Sequence, residues 1–296
     1  MITGEVIRQV TKLFANAGLQ NPGLDAELIV AHCLGIEPSV LALKSRESPS
    51  EEQVCEVRKL ATRRAEREPI QYILGHWEFW SIDLVVREGV LIPRPETETL
   101  VEAAIELVSA RSQPDAAAFS PLVLDIGTGS GAIAIAIAKE LGKRCRVIAT
   151  DISSSALVVA MTNVRRSDMA DVVKLVQCDM AEALSADSLA RKVDLIICNP
   201  PYIPTRLLKE LQPEICRFEP TIALDGGASG LDFYPRLMEM ASALLATGGA
   251  LVCEIAPDMP DDIGGIWQAF HRFLGKPDFA ADLTGRPRAA ILRRLP

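Results

Sequence analysis

Short apolar runs alternate with longer amphipathic segments along most of the chain after residue 120. An apolar run of about five residues predicts a buried strand, and apolar residues at helical spacing predict a helix. Regular alternation of the two is typical of a doubly wound, mainly parallel sheet, so we expect an α/β fold. The predicted strands are 122–126, 146–150, 173–178, 193–198, 249–255 and 289–292, and the predicted helices are 132–141, 153–166, 232–245 and 263–274.

The first 67 residues carry a different pattern, in which apolar residues recur at helical spacing. Gly18 and Gly35 predict the ends of two helices, and Ser50 followed by Glu51 predicts the start of a third. We therefore predict a small N-terminal helical bundle. The basic residues of this bundle are interspersed with glutamates, which favours a solvated helix face over a macromolecular docking surface; they are Arg58, Lys59, Arg63, Arg64 and Arg67.

The pattern changes again after Pro69. Apolar runs from Phe79 to Val86 and from Val90 to Ile92 flank Glu88-Gly89, which predicts a β-hairpin. Prolines 93 and 95 then form a rigid turn before a helix, and residues 111–120 resemble a polar, alanine-rich connector. We expect three parts, namely a helical domain at 1–70, a β-hairpin linker at 71–92 and the α/β domain at 93–296.

The predicted strand at 193–198 runs into the sequence Asn199-Pro200-Pro201-Tyr202. Proline has no N–H to donate to a sheet, so the strand must stop here. A residue before proline is held extended, which keeps Asn199 at the strand's carboxyl end. Ligands of open α/β sheets bind at that edge, so the corner is a candidate site.

This corner suits a planar NH2 group attached to a carbonyl or a ring. The Asn199 side-chain oxygen and the Pro200 carbonyl can each accept one of its two protons, and Tyr202 can pack on its face. Holding both protons aims the delocalised lone pair at an electrophile. We therefore assign catalytic roles to Asn199, Pro200 and Tyr202, and substrate binding to these residues and Pro201. The neighbouring Cys198 is interpreted as a core residue and not as a nucleophile.

The first predicted strand of the sheet leads into a glycine-rich loop that opens a helix, Gly127-Thr128-Gly129-Ser130-Gly131. The glycines allow a tight turn and close approach of a ligand. Asp151 ends the next strand, where it can accept both hydroxyl protons of a ribose, and Asp179 ends the third, where an adenine would lie. The loop alone also fits a dinucleotide-binding fingerprint, but a sulfonium methyl donor explains both the loop and the Asn199 corner.

Composition narrows the classes of function. The formal net charge of −8 argues against a protein whose affinity depends on neutralising phosphates. The three histidines lie far apart and no two cysteines form a Cys-x-x-Cys pair, so we predict no metal site. Seven cysteines without any Cys-x-x-Cys pair are typical of a reduced, cytosolic protein. The absence of a long apolar run or a targeting pattern likewise predicts a cytoplasmic chain without a membrane span.

With these motifs in place, the chain resembles the PrmC/HemK family, whose members are S-adenosyl-L-methionine-dependent methyltransferases. They modify the glutamine of the Gly-Gly-Gln motif in peptide-chain release factors. The stretch at 91–98, Leu-Ile-Pro-Arg-Pro-Glu-Thr-Glu, is more specific to the family than Asn-Pro-Pro-Tyr, which other amino-methylating enzymes share. The resemblance runs from about residue 60 to the C-terminus and is carried by residues 69–75, 91–98, 125–134, 199–203, 219–220, 223–227 and 230–232.

The resemblance implies a seven-stranded, Rossmann-like class I methyltransferase fold and a helical N-terminal domain that docks the substrate. It implies that the glycine loop and Asp151 bind S-adenosyl-L-methionine, with Asp179 and Met180 beside the adenine and Asn199 bordering both cofactor and substrate. Two departures stand out. Met180 replaces a common aromatic residue, which puts stacking on the adenine in doubt. Ala256 stands where a glycine is usual, so we expect that loop to differ in shape.

Three functions are weighed on these grounds. The first is methylation of the release factor glutamine by a monomer that needs no direct nucleic acid. The second is methylation of adenine N6 or guanine N2 in nucleic acid, where the same corner would hold a flipped base. The acidic charge and the absence of an obvious target-recognition insert argue against it. The third is a non-catalytic binding adaptor, which the intact Asn199 and Tyr202 disfavour.

Overall fold

The computed structural model describes most of the chain, namely residues 1–111, 120–184 and 189–296. The polar connector predicted at 111–120 lies, apart from its two ends, outside the described residues. The chain divides into two compact units, a helical unit of Met1–His76 with Gln212–Phe218 and a sheet unit of Trp77–Leu211 with Glu219–Pro296.

The helical unit is built from amphipathic helices whose apolar faces share one core. Gly35, with a φ of +65°, closes the second helix, and the hydroxyl of Ser50 caps the third by accepting the Gln53 N–H at 3.1 Å. The predicted N-terminal helical region is confirmed. The elements of this unit are α1 (Thr3–Asn16), α2 (Pro22–Leu34), a 3-10 turn (Pro38–Val40), α3 (Glu51–Ala65), α4 (Ile70–Leu74) and, from later in the chain, α8 (Pro213–Phe218).

A buried ion-pair cluster corrects the prediction of a solvated basic face on α3. Arg58 and Lys59 are exposed, but Arg64 is only 7% exposed. Its guanidinium donates to Asp25 Oδ2 at 2.8 Å and to Glu214 Oε1 at 2.9 Å. Glu214 also accepts from Arg67 Nη2 at 2.7 Å. The solvated-face prediction is therefore wrong for Arg64, because one partner lies 150 residues away, where local charge patterning gives no sign of it.

The predicted hairpin exists, but its strands lie earlier than expected. They are β1 (His76–Phe79) and β2 (Ile82–Val85), and they turn at Trp80-Ser81 and not at Glu88-Gly89. Both turn residues have positive φ values, +52° and +53°. A two-residue hairpin turn requires this geometry, and glycine or asparagine usually supplies it. Because neither is present here, the sequence carries no conventional turn signal at the true position.

The sheet unit contains a seven-stranded sheet in the order β5-β4-β3-β6-β7-β9-β8. The first five strands in that order are parallel, and β9 is antiparallel to both neighbours. The predicted doubly wound, mainly parallel seven-stranded sheet is confirmed. The strands are β3 (Leu122–Ile126), β4 (Arg146–Asp151), β5 (Val173–Gln177), β6 (Val193–Cys198), β7 (Leu245–Glu254), β8 (Asp278–Ala281) and β9 (Pro287–Arg293).

Helices cover both faces of this sheet, because alternate residues of each central strand enter opposite cores. Val123 packs into one core and Leu124 into the other. Residues of α5, α6 and α7 contribute to the first core and residues of α9 and α10 to the second. The helices are α5 (Glu98–Arg111), α6 (Ala132–Leu141), α7 (Ser154–Arg166), α9 (Phe233–Leu244) and α10 (Pro260–Trp267).

Two elements near the C-terminus differ from the prediction. The last helix was expected over 263–274 but ends at Trp267. Beyond it the chain tightens, since the Ala269 and Phe270 N–H groups bond to carbonyls three residues back. Strand β8 was not predicted. It is a short edge strand with largely exposed residues, so it lacks a buried apolar run.

Candidate active site

Sheet register brings three parts of the site side by side. Ile126 at the end of β3 pairs with Cys198 at the end of β6, and Cys198 pairs with Cys253 of β7. The residues that follow these pairs are Gly127, Asn199 and Glu254. The strands β3, β6 and β7 are parallel, so all three residues lie at the carboxyl edge of the sheet.

A cleft of about 1220 Å³, counted with the solvent at its open mouth, lies at this edge. Most of the predicted site residues line it, whereas Gly131 and Tyr202 do not. Thr97, Pro220 and Arg236 also line the cleft and were not predicted as site residues. The predicted residues that line the cleft are Gly127, Thr128, Gly129, Ser130, Asp151, Asp179, Met180, Asn199, Pro200 and Pro201.

The glycine loop turns tightly between β3 and α6. Gly127 and Gly129 have φ values of +71° and +56°, and a Cβ added at either would meet no atom within 4 Å. Backbone here therefore faces open cleft, as an approaching ligand requires. The Thr128 side chain has a structural contact, since its hydroxyl donates to the buried Asp125 Oδ2 at 2.6 Å. Ser130 is likewise buried, and its carbonyl accepts from Asn163.

Asp151 is fixed by the backbone around it. Its Oδ2 accepts the Gly129 N–H and its Oδ1 accepts the Ser153 N–H, each at 2.8 Å. Burial raises the pKa of Asp151, and these backbone hydrogen bonds act in the opposite direction. A carboxylate accepts at about four positions, so Asp151 remains able to accept from a ligand hydroxyl as well.

Asp179 and Met180 line the part of the cleft that the sequence predicts for adenine. Asp179 Oδ2 pairs with Arg236 Nη2 at 2.7 Å, and both side chains are partly exposed. The Met180 backbone has a φ of +49°, and its carbonyl accepts the Thr150 hydroxyl at 2.6 Å. Sequence reasoning missed Arg236 because its partner lies 57 residues away and no motif surrounds it.

The Asn-Pro-Pro-Tyr corner is held from below by a hydrogen-bonded chain. Asn199 Nδ2 donates to Thr97 Oγ1 at 3.2 Å, and the Thr97 hydroxyl donates to Glu254 Oε2 at 2.6 Å. The Tyr202 hydroxyl donates to the other oxygen of Glu254 at 3.1 Å. The Tyr202 hydroxyl therefore contacts the support of the corner, and packing of its ring on a substrate stays a prediction. Burial and Glu254 raise the pKa of its hydroxyl.

The residues after the corner are backed by a glycine-containing loop. Ile203 N–H donates to the Leu224 carbonyl at 3.0 Å, and the Gly226 N–H donates to the Ile203 carbonyl at 2.9 Å. A Cβ added at Gly230 would lie 2.4 Å from the Tyr202 carbonyl oxygen. Only glycine fits at that position, where φ is +83°.

Cys198 belongs to the core, as interpreted from the sequence. It is 3% exposed, and burial raises the pKa of its thiol well above the ordinary value, which disfavours a thiolate. Among the described residues, no group of three or more His, Cys, Asp or Glu side chains is arranged to hold a metal ion. No helix in the described part of the chain is long and apolar enough to cross a membrane.

Comparison with known families defines the class first. A model described as a methyltransferase domain matches residues 122–258, which include the glycine loop and the Asn199 corner. A second model, described as the PrmC N-terminal domain, matches residues 5–75. Among solved structures, the N-terminal domain of human METTL16 in complex with SAH has the same fold, with a TM-score of 0.54 and 15% identity over 90% of this chain and 94% of that one.

Curated relatives then define the family. The release factor glutamine methyltransferase of Rhodopirellula baltica is 41% identical over 85% of this chain and 83% of its own length. The human MTRF1L release factor glutamine methyltransferase is 35% identical over 98% of this chain and 87% of its own length. The chain belongs to the release factor glutamine methyltransferase family, and the resemblance drawn from its motifs is confirmed.

Proposed function

We propose that this protein transfers a methyl group from S-adenosyl-L-methionine to the side-chain nitrogen, N5, of the glutamine in the Gly-Gly-Gln motif of peptide-chain release factors. Family membership supports the reaction and its substrate. The observation that carries the proposal in the structure is the register pairing of Ile126 with Cys198. It sets a glycine loop suited to the methyl donor directly beside a corner suited to a carboxamide.

The residues at the glycine loop fit S-adenosyl-L-methionine. Open space over Gly127 and Gly129 admits a ligand against the backbone, and Asp151 keeps lone pairs for ribose hydroxyls. Asp179 and Met180 line the part of the cleft proposed for adenine. When bound, this cofactor supplies a methyl group on a positively charged sulfur, which makes the methyl carbon electrophilic.

The protein's own contribution is to hold the substrate amide. Asn199 Oδ1 and the Pro200 carbonyl accept its two N–H protons, with Pro201 and Tyr202 shaping the corner. This grip orients a weak nucleophile without a strong base, since the methylated nitrogen is cationic and loses its proton readily. Positioning of this kind can lower a barrier by up to roughly 7–11 kcal/mol.

The test is mass spectrometry of a release factor incubated with the protein and S-adenosyl-L-methionine. We expect one added methyl group, located by fragmentation on the glutamine of the Gly-Gly-Gln peptide. A release factor that stays unmodified with fresh cofactor and folded enzyme would contradict the proposal. Labelled-methyl assays with nucleic acid alongside test the alternative of adenine-N6 or guanine-N2 methylation, which the family relationship disfavours.

The roles of the three parts of the chain, the assembly state and the location of the protein are further proposals. We propose that residues 1–70 dock the substrate, that 71–92 link this domain to the rest, and that 93–296 carry catalysis. The PrmC N-terminal match supports the first of these. We also propose a monomer, and the charge of −8 supports catalysis that needs no direct nucleic acid. Seven free cysteines support a cytoplasmic location.

A further inference from the structure

Glu254 is a buried carboxylate that the proposed chemistry leaves without a role. The residue is 2% exposed and lies at the end of β7, beside the Asn199 corner. Burying an ionised carboxylate is costly unless hydrogen bonds compensate for the lost water. Here the Thr97 and Tyr202 hydroxyls each donate to one of its oxygens.

The direction of each proton in this cluster follows from the chemistry of its groups. An ionised carboxylate only accepts hydrogen bonds, so Thr97 must give its single hydroxyl proton to Glu254. The Thr97 oxygen can then only accept from its other neighbour. The group that meets it at 3.2 Å is the Asn199 amide, which must present its NH2 end to Thr97. Asn199 Oδ1 is thereby left to accept a proton from a ligand.

We propose that Glu254 and Thr97 are positioning residues that fix which end of the Asn199 amide faces the substrate. This inference rests on the proposed function. It explains the preference for an NH2-bearing substrate by the direction of the hydrogen bonds from Asn199 to Thr97 and from Thr97 to Glu254. With the amide reversed, Asn199 would present two N–H donors to the substrate's own N–H groups, and the grip would be lost.

The charge state of Glu254 is set by groups from several elements. Burial raises its pKa, as does Glu96, while the Thr97 and Tyr202 hydroxyls and Arg288 act in the opposite direction. Cys198 and Tyr234, which also face Glu254, are themselves held neutral by burial. Protonated Glu254 can donate to Thr97, which frees the Thr97 proton for Asn199 and allows the amide to reverse.

Thr97→Val and Thr97→Ser form the central pair of test variants. Valine keeps the shape of threonine but can neither donate nor accept, whereas serine keeps the hydroxyl. We expect Thr97→Val to lower kcat for release factor methylation by about tenfold to a hundredfold, with the cofactor Kd changed less than about threefold. Thr97→Ser should stay within about threefold of the unsubstituted protein. Glu254→Gln should fall between them, because one rotamer of its amide still accepts from Thr97.

Tyr234→Phe is the matched control for losing a buried hydroxyl near Glu254. The Tyr234 hydroxyl donates at 2.9 Å to the main-chain carbonyl of Glu254 and not to its carboxylate. We expect this variant to lower the Tm while keeping kcat within about twofold. Wild-type kcat in Thr97→Val, or an equal loss of kcat in Tyr234→Phe, would overturn the proposal.

Nuclear magnetic resonance tests the amide orientation without any substrate. The Asn199 side-chain NH2 signals, assigned by their absence in Asn199→Asp, should exchange slowly with water and shift with pH as Glu254 titrates. Thr97→Val should abolish this pH-dependent shift of the Asn199 signals, and Thr97→Ser should keep it. Asn199 signals that ignore this titration in the unsubstituted protein would refute the inference. If no release factor is methylated at all, the proposed function fails, and these signals still decide the role of Glu254.

Discussion

The two halves of the site are built in different ways. We name the two halves by the ligands proposed for them, the cofactor and the substrate amide. The cofactor half uses backbone groups and neighbours close in sequence, since Asp151 reaches Gly129 across only 22 residues. The amide half is assembled from distant segments, because Thr97 lies 102 residues from Asn199 and 157 from Glu254. A loop that binds through its backbone can therefore be encoded by a short sequence motif. The orientation of the Asn199 side-chain amide instead depends on segments that only the folded sheet brings together.

The largest expected effect comes from removing the amide grip itself. Asn199→Ala deletes the acceptor proposed to hold one substrate proton, so methyl transfer should fall at least about a hundredfold. Cofactor affinity, which we assign to the other half, should change less than about threefold. Single-turnover assays and calorimetric titration measure the two separately. Near-normal transfer in this variant would remove the functional division between the halves.

A second change tests the packing behind the corner. Gly230→Ala places a methyl group 2.4 Å from the Tyr202 carbonyl, so the corner must shift. We expect about a tenfold loss of methyl transfer and a stability loss of roughly 1–3 kcal/mol. Gly248→Ala is the matched control, because its φ of +74° is similar but a Cβ there meets no atom within 4 Å. Equal losses of transfer in both variants would show that backbone strain alone is responsible.

A substitution in the cofactor half should change cofactor affinity and leave methyl transfer nearly unchanged, the reverse of Asn199→Ala. Asp151→Asn keeps the side-chain shape but removes charge and one acceptor oxygen, so we expect cofactor Kd to rise about tenfold. Transfer at saturating cofactor should stay within about threefold. The contrast with Asn199→Ala is read by calorimetry and by kcat. A lowered kcat with unchanged Kd would place Asp151 in the amide half.

The smallest effect concerns stability and pH. Burial raises the pKa of Asp125, beneath the glycine loop, from 3.8 to about 7. Its contribution to stability is full below pH 3.8 and is lost as pH rises toward about 7, because the folded state binds a proton that the unfolded chain has released. The unfolding free energy of the unsubstituted protein, minus that of Asp125→Asn, should decrease across this range. Urea titrations at several pH values measure it, and a constant difference would contradict the shift.

Sequence patterns predicted the elements that obey local rules. The glycine loop, the strands of the central sheet and the stop at Pro200 all follow from residues within a few positions of one another. The turn at Trp80-Ser81 was misplaced because residues other than glycine adopt positive φ there. Arg64 was assigned to solvent because its partner Glu214 is distant in sequence.

The roles proposed for Thr97 and Glu254 could not be predicted from the sequence for a related reason. Thr97 lies in the family-specific stretch at 91–98 and Glu254 at the end of an apolar run, and neither stretch shows that the two side chains meet. The register of β6 with β7 brings Glu254 beside the Asn199 corner, and Thr97 reaches Glu254 from a turn 157 residues earlier in the chain. A glutamate that closes an apolar strand at the ligand edge is the one signal that sequence reading offered.

The helical unit takes one of its helices, Pro213–Phe218, from a point late in the chain. During synthesis, Glu214 therefore leaves the ribosome more than a hundred residues after Asp25 and Arg64, and the ion-pair cluster can be completed only then. Expression of residues 1–76 alone would leave that guanidinium short of a partner. One cut by a protease after His76 would likewise not release the unit as a separate fragment, because its last helix would remain attached to the other piece.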